Sequence, residues 1–370
     1  MTVLYSKFYA LYEIHILDAR EGMSRPLITI AIPTYNRSEY LKRSLETILE
    51  QTSVVDPDEN IIEIIISDNC STDETQAVVE RYLAAHPSIK FQVNETNIGP
   101  DGNFLKFVSL SSGVFTILIG DDDLLLPRAL EHIVAVTSKN TDASVIFING
   151  YKTSSKEFEN TKERLVFKYP SQVTYFDDPY ELYNSLTVGA LTYMSVMLFN
   201  TDLLRSLPNL DDGQGTHFIQ TVWVLKLLKF YPRSVIYPYP CVMQGYAETR
   251  VFDELKDNGD LSGKKEGDII TLVLLQFYSE HLPAISSGLG YNSSIARRLL
   301  SESIVQYSKT ILYHKIKGDF NDPPDKNLIY KYTKRVPISW LFLYPILTIP
   351  ASLFRPFKKL LLKIIFNFIN

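Results

Sequence analysis

Residues 27–49, LITIAIPTYNRSEYLKRSLETIL, decide the fold class of this chain. They begin with a six-residue apolar run rich in β-branched side chains, which is typical of a buried strand, and Pro33 ends that run. Apolar residues then recur at helical spacing from Glu39 to Gln51, and Ser38 is placed to cap the helix. The stretch therefore predicts a strand, a polar loop and a helix that packs on a sheet.

The same alternation continues along the first half of the chain. Further strands are predicted at 61–66, 89–93 and 114–119, with helices at 72–85 and 103–111 between them. Weaker signals predict helices at 127–137, 179–186 and 216–230 and strands at 143–149 and 193–199. Such alternation predicts an α/β fold, Rossmann-like, with a mostly parallel sheet and helices on both faces. Ligands of such folds bind in the loops at the carboxyl ends of the strands.

Composition divides the chain into four predicted parts. These are an N-terminal extension at 1–25, the α/β domain at 26–256, a C-terminal helical region at 257–335 and a basic, apolar tail at 336–370. Residues 1–22 lack the charged start, apolar run and cleavage site of a secretory signal. The two cysteines, Cys70 and Cys241, have no metal-ligand spacing, so we expect a reducing compartment and neither a zinc site nor a disulfide framework.

Charge is distributed unevenly. The net charge of −5 gives no overall basic field, which argues against a general nucleic-acid binder. From Lys331 onward, however, there are seven basic residues and no acidic one. Mixed with apolar side chains, they predict a tail that lies on an anionic membrane surface, and hence a protein peripheral on the cytoplasmic face of the cell membrane. A basic helix docked on the body remains the alternative, and three prolines make a membrane-spanning tail less favoured.

Three consecutive carboxylates, Asp121 to Asp123, follow the strand predicted at 114–119. Like charges at close range raise one another's pKa unless a cation neutralises them. Mg²⁺ and Mn²⁺ suit such oxygen ligands, and they commonly bind one or two carboxylates while water and phosphate complete the coordination. The loop therefore predicts a divalent metal and a diphosphate substrate. A solvated acidic turn before the next helix is the alternative interpretation.

Asp68 ends the second predicted strand. A carboxylate in that position can accept hydrogen bonds from a nucleobase imide or a ribose hydroxyl. An Asx turn before the next helix would have the same sequence, so Asp68 alone does not decide between the two.

In order and spacing, residues 27–49, IIEIIISDNCSTDET (61–75) and NETNIGPDGNFLKFVSLSSGVFTILIGDDDLLLPRAL (94–130) resemble the nucleotide-binding half of the family 2 glycosyltransferases, which have the GT-A fold. The resemblance is good over 26–140, weakens towards 250 and is absent from the tail. It implies an inverting enzyme that moves a sugar from a nucleoside diphosphate sugar, a UDP-sugar by default, to a glycan. A membrane-seeking tail suggests a lipid-linked acceptor, as in bacterial surface polysaccharide assembly.

The resemblance also implies roles for individual residues. The predicted substrate-binding residues are Pro33, Thr34, Tyr35, Arg37, Asp68, Asn97, Gly99, Asn103 and Asp121. Asp122 is the preferred ligand for Mg²⁺ or Mn²⁺, Asp123 the second, and His217 is either a metal or diphosphate contact or a structural residue. Many family members have a further aspartate two residues before the last pair, and that place is Gly120 here.

The predicted catalytic base is Asp211 or Asp212. In related inverting enzymes an acidic residue just before a helix of the second half removes the proton of the acceptor hydroxyl. An acidic loop that only caps the helix is the alternative for both residues.

Two other functions remain open. A nucleotidyltransferase would share the acidic cluster, but it is expected to have a glycine-rich loop with basic residues early in the chain, which Pro33 to Arg37 do not provide. A non-catalytic, membrane-attached glycan-binding or partner subunit would keep the fold with an eroded acidic cluster, and Gly120 is a change in that direction.

Overall fold

The computed structural model describes residues 24–57, 60–86, 89–152, 164–165, 170–245, 277 and 281–291. Its strands are β1 (Ile28–Thr34), β2 (Ile62–Asp68), β3 (Ile89–Val93), β4 (Phe115–Leu118), β5 (Leu124–Leu125), β6 (Val145–Lys152), β7 (Arg164–Leu165), β8 (Thr174–Phe176), β9 (Met197–Asn200) and β10 (Ser234–Gln244). Its helices are α1 (Ser38–Val55), α2 (Thr75–Leu83), α3 (Gly99–Leu110), α4 (Ala129–Ser138), α5 (Pro179–Ser185), α6 (Val188–Thr192), α7 (Thr201–Arg205), α8 (Ile219–Phe230) and α9 (Leu282–Gly288), with a 3₁₀ turn at Met194–Val196.

Among the described residues, the ten strands form one mixed sheet. Its order is β3-β2-β1-β4-β9-β6-β10-β5, with β7 paired to β6 and β8 to β10. The first four strands are parallel, β9 is antiparallel to both neighbours, and β10 is parallel to β6. Of the described strands longer than three residues, β9 alone runs in the opposite direction. The mostly parallel sheet predicted from the sequence is therefore confirmed, and the carboxyl ends of β1, β2, β4 and β10 lie at one edge.

The sheet is buried because its strands are apolar on both faces. All seven residues of β2 are buried, as are six of the seven in β1. The helices form two packed groups, α1 with α2 and α4, and α3 with α7 and α8. In α1 the buried side chains Leu41, Leu45, Ile48 and Leu49 recur at helical spacing. Helix α8 is buried along ten consecutive residues.

Three predicted boundaries are wrong for local reasons. Helix α3 begins at Gly99 rather than 103, since Pro100 is favourable in a first helical turn. Helix α8 begins at Ile219 rather than 216, because the Thr216 hydroxyl donates to Gly213 O and accepts from the backbone N–H of Phe218, which holds these residues in a turn. The strand predicted at 193–199 begins as a 3₁₀ turn and becomes a strand only at Met197.

Two compact units divide the chain, residues 1–248 and 249–370. In the second unit the described residues include helix α9. The remainder of the predicted helical region 257–335, all of the tail 336–370 and most of the extension 1–25 lie outside the described residues. Over the part of the chain that the structure describes, no helix combines the length and the hydrophobicity needed to cross a bilayer.

Candidate functional site

The loops that follow β1, β2 and β4 meet at the carboxyl edge of the sheet. Thr34 and Asp68 are register partners at the ends of β1 and β2. Beyond β4, the backbone N–H of Ile119 donates to Ala31 O at 2.9 Å, which carries the acidic loop to the end of β1. The Thr34 hydroxyl then donates to Asp121 Oδ2 at 2.9 Å. Parallel pairing therefore brings together the three polar loops predicted to form the site.

Asp121 is buried and held from the β1 side. Its Oδ1 accepts a hydrogen bond from Arg37 Nη1 at 2.8 Å, in addition to the Thr34 contact at Oδ2. Burial raises the pKa of Asp121 to about 6, against the opposing effect of Arg37. Both oxygens of this carboxylate are therefore occupied by protein donors.

Arg37 lies over the acidic loop. Its guanidinium also lies 3.6 Å from Asp122 Oδ1 and 5.8 Å from the centre of the Tyr40 ring. Burial lowers its pKa, but Asp121 and Asp122 outweigh that effect and raise the pKa of Arg37 above its ordinary value. Its neighbours Pro33 and Tyr35 are half-buried at the end of β1.

Asp123 is buried and held from the opposite side. Ser195 Oγ donates to its Oδ2 at 2.5 Å, and the backbone N–H of Gly245 donates to its Oδ1 at 2.7 Å. The Tyr193 hydroxyl lies beside the same carboxylate. Burial, followed by the charge of Asp122, raises the pKa of Asp123 to about 7. Like Asp121, this residue has protein donors at both carboxylate oxygens.

Asp122 is the most open of the three carboxylates. Its side chain is 20% exposed, against 5% for Asp121, and its contact with Arg37 is the 3.6 Å approach described above. Among the residues that the structure describes, no cluster of three or more His, Cys, Asp or Glu side chains is arranged to hold a metal ion. Within the described part of the chain, Asp122 is therefore the carboxylate of this loop that is most open to a metal ion.

The glycine before the acidic triplet is explained by packing. A Cβ atom at Gly120 would lie 2.9 Å from Asp123 Oδ2 and 3.2 Å from Asp122 Oδ1. The Asp122 and Asp123 carboxylates thus occupy the space that a side chain at position 120 would need. A side chain at position 120 would therefore require these two carboxylates to move.

Asp68 is fully buried, and its two carboxylate oxygens have different surroundings. Its Oδ1 accepts from the backbone N–H of Ser71 at 2.9 Å and from the Ser71 hydroxyl at 2.5 Å, as an Asx turn would. Its Oδ2 is buried and has no hydrogen-bond partner among the described residues. Burial raises the pKa of Asp68, and the bonds from Ser71 oppose the rise.

The remaining predicted substrate contacts form an amide network beside Asp68. Asn69 Nδ2 donates to Asn97 Oδ1 at 2.7 Å, and the backbone N–H of Gly99 donates to the same oxygen at 2.9 Å. Asn103 accepts from the Ser67 hydroxyl at 2.6 Å and donates to Ser67 O at 3.0 Å. Gly99 has φ +73°, where L side chains are rare. These contacts fix the loop from Asn94 to Gly99 at the site edge.

The two candidate bases have different surroundings. Lys226, buried within α8, donates to Asp212 Oδ2 at 2.6 Å and to Pro208 O at 2.9 Å. Trp223 Nε1 donates to Leu210 O at 3.0 Å and holds the same loop. Asp211 is exposed. Neither residue caps the helix, which begins seven residues after Asp212.

The start of α8 is instead capped by Asp101, a residue that the sequence analysis missed. Its Oδ2 accepts from the backbone N–H of His217 at 2.8 Å, and its Oδ1 accepts from that of Ile219 at 3.3 Å. His217 has φ +62°, and its Nδ1 is buried with no hydrogen-bond partner among the described residues. Acidic first-turn residues are typical of helix starts, but this one serves a helix more than a hundred residues away.

Ser195, Tyr193 and Gly245 were also missed. They lie in regions where the resemblance to known families weakens, and no local pattern distinguishes them from ordinary strand and loop residues. Only their position opposite Asp123 identifies them.

Comparison with known proteins agrees with this geometry. The sequence profile described as Glycosyl transferase family 2 matches residues 29–198, the span that contains β1 to β4, the acidic loop and Ser195. This part of the chain is similar to glycosyltransferase family 2. The abequosyltransferase RfbV of Salmonella typhimurium is 42% identical over 106 residues, which cover 28% of this chain and 30% of that protein.

A second relative is a Campylobacter jejuni enzyme named GalNAc(5)-diNAcBac-PP-undecaprenol beta-1,3-glucosyltransferase. It is 33% identical over 110 residues, which cover 30% of this chain and 34% of the relative. The chain thus spans about a third of the length of these curated relatives.

Among solved structures, that of Staphylococcus aureus TarS 1–349 in complex with UDP-GlcNAc is similar to this chain, with a TM-score of 0.50. The two share 14% sequence identity, and the match covers 86% of this chain and 90% of the other. At that identity the likeness shows the fold alone, and it agrees with the predicted GT-A architecture.

Proposed function

We propose that the chain transfers a sugar from a nucleoside diphosphate sugar to a glycan hydroxyl, with inversion at the anomeric carbon. The observation that carries the proposal is the pair of available carboxylate oxygens at one sheet edge. One is Asp68 Oδ2, which is buried and has no hydrogen-bond partner among the described residues. The other belongs to Asp122, whose side chain is 20% exposed. The first suits a nucleobase and the second a cation that accompanies a diphosphate.

The nucleobase is assigned to Asp68. A buried acceptor without a donor costs folding free energy, which a ligand N–H would restore on binding. The imide N–H of uracil is such a donor, so a UDP-sugar is the first donor to test. Pro33 and Tyr35, half-buried at the neighbouring strand end, are proposed to contact the base and ribose. Asn97, Gly99 and Asn103 shape the ribose and diphosphate side through the amide network.

A divalent metal, Mg²⁺ or Mn²⁺, is assigned to Asp122. The donor set fits, since such ions commonly bind one or two carboxylates and take their other ligands from water and phosphate. When bound, the ion would neutralise charge on the departing diphosphate. Arg37 is proposed to hold Asp121 and to add positive charge on the same side. His217, with its unpartnered Nδ1, remains a candidate contact of the diphosphate or metal.

Asp211 is the preferred catalytic base. A base must have an oxygen that can accept the acceptor's proton. Both residues are exposed, but Asp212 is paired with Lys226. Substitution of Asp211 by Asn is therefore expected to lower kcat with little effect on donor affinity, and Asp212→Asn to act mainly through stability.

The acceptor is proposed to be a lipid-linked glycan in surface polysaccharide synthesis. The Campylobacter relative is named for an undecaprenol-linked acceptor, and the tail 336–370 combines basic and apolar residues. Both features support a protein that works at the inner face of the cell membrane.

The decisive experiment is a screen of nucleotide sugars with purified protein, Mn²⁺ or Mg²⁺, and a membrane glycolipid extract. Mass spectrometry would detect the released nucleoside diphosphate and a glycolipid heavier by one sugar. Nucleotide binding without release of diphosphate by any donor would favour a non-catalytic subunit. In a parallel assay with nucleoside triphosphates and sugar phosphates, formation of a nucleotide sugar with release of pyrophosphate would favour the nucleotidyltransferase alternative.

A further inference from the structure

We propose that Asp123 is a positioning residue that fastens the end of β10 and the 193–195 turn to the acidic loop, and so fixes the Asp122 carboxylate. The inference rests on the proposed function, because it assigns Asp122 and Asp123 different tasks in the same site. It replaces the expectation from the sequence that Asp123 is a second metal ligand.

The contacts of Asp123 come from segments distant in sequence. Ser195 Oγ lies on the turn before β9, and Gly245 N lies immediately after β10. Asp123 itself is buried, with only 4% of the residue exposed. Each of the two oxygens already accepts a hydrogen bond from the protein, so a metal ion at this carboxylate would compete with these donors.

Ser195 links Asp123 to the start of the loop as well. Its hydroxyl accepts a hydrogen bond from the backbone N–H of Gly120 at 2.9 Å while it donates to Asp123. The backbone N–H of Asp123 in turn donates to Gly120 O at 3.0 Å. The loop from 120 to 123 is therefore closed on itself, and one buried hydroxyl joins its two ends.

Gly245 completes the arrangement by contact with Asp122 itself. A Cβ atom at Gly245 would lie 2.1 Å from the Asp122 carbonyl oxygen and 2.6 Å from its carbonyl carbon. The strand that leads to Gly245 is paired with β5, with Val242 opposite Leu125. The pairing of β10 with β5 thus places the end of β10 against the backbone of Asp122. Only glycine at position 245 leaves room for the Asp122 carbonyl group.

The test compares three variants of the full chain, Asp122→Asn, Asp123→Asn and Gly245→Ala, with Asp142→Asn as a matched surface control. Calorimetry measures UDP affinity with and without Mn²⁺, and steady-state kinetics separate kcat from KM. We expect Asp123→Asn to keep the Mn²⁺-dependent gain in UDP affinity within about threefold of wild type, and to lower kcat more than it changes KM. Asp122→Asn should lose the gain, and Gly245→Ala should reduce it by about tenfold or more.

Loss of the Mn²⁺ effect in Asp123→Asn, to the extent seen in Asp122→Asn, would identify Asp123 as a ligand and overturn the inference. A normal Mn²⁺ effect in Gly245→Ala would overturn it as well.

A second measurement does not depend on the proposed function. Thermal unfolding of Asp123→Ala, Ser195→Ala and the double variant should show losses that do not add, since both remove the same link. Additive losses would contradict the link even if wild type bound no UDP.

Discussion

Asp121, Asp122 and Asp123 are adjacent in the chain, yet their neighbours differ. Thr34 and Arg37 hold the first, Ser195 and Gly245 hold the third, and the second faces outward. Asp122, the residue that the sequence favours as metal ligand, is the most exposed of the three. Sequence analysis could not distinguish the tasks of the other two, because these depend on donors that reach the loop from three different strand ends.

We expect Asp68→Ala to weaken UDP binding by about ten- to a hundredfold, the range expected for loss of one hydrogen bond to a charged group. The melting temperature should not fall in proportion, because the variant also removes a buried carboxylate oxygen without a partner. Calorimetry and thermal unfolding measure the two effects. Unchanged UDP affinity would contradict the assignment of the base to Asp68.

Affinity for UDP should also depend on pH through Asp68. Its folded-state pKa is raised, so the protonated form is favoured more than in a free aspartate. The ionised carboxylate is the stronger acceptor for the imide N–H, so UDP affinity should fall as pH is lowered through this raised pKa. Asp68→Asn should remove that dependence in calorimetric titrations between about pH 4 and 7.

We expect Asp122→Asn to reduce kcat/KM by about a hundredfold or more at saturating Mn²⁺, since the proposed ion would lose its protein carboxylate. The fold should survive, because this side chain is partly exposed and packs into no core. Circular dichroism and thermal unfolding provide the control, together with Asp142→Asn. Near-normal turnover of the Asp122 variant would exclude it as the metal ligand.

At the scale of elements, local sequence predicted most of the sheet. The apolar, β-branched runs that became β1, β2 and β4 are buried on both faces, whereas the edge strand β3 is only partly buried. No distant residue is needed to identify these strands. Helix α8 was placed three residues too early. A local turn held by Thr216 precedes it, and Asp101, which lies 116 residues before His217, accepts hydrogen bonds from the N–H groups at its start. Long-range capping of this kind leaves no periodic signal in the sequence.

Substitution of Asp101 by Ala should lower the free energy of unfolding by about 2–4 kcal/mol, because at least two buried backbone N–H groups at the start of α8 would lose their acceptor. Asp101→Asn should recover about half of that loss, since its amide oxygen can still accept. Chemical denaturation measures both variants. If Ala and Asn were equally stable, the cap would not depend on hydrogen bonding.

At the scale of the whole molecule, the proposed contacts with the nucleotide sugar, apart from His217, all precede residue 130. The excess of basic residues lies beyond residue 330. We expect deletion of residues 336–370 to release the protein from anionic vesicles and to leave UDP affinity unchanged. Each basic residue near such a surface contributes roughly 1 kcal/mol at low salt, so binding of the full chain should weaken as salt rises. Vesicle sedimentation measures both effects, and loss of UDP binding on deletion would show that the tail supports the body.

The contact between Gly245 and the backbone of Asp122 affects how specificity could be exchanged between relatives. A chimaera joined between the acidic loop and β10 would combine a loop from one parent with a strand end from another, and a single added methyl group at the junction would displace Asp122. Recombination is expected to succeed when the crossover falls after Gly245, so that loop and strand are inherited together. The acidic loop that is proposed to recognise the sugar donor and the end of β10 should therefore come from the same parent.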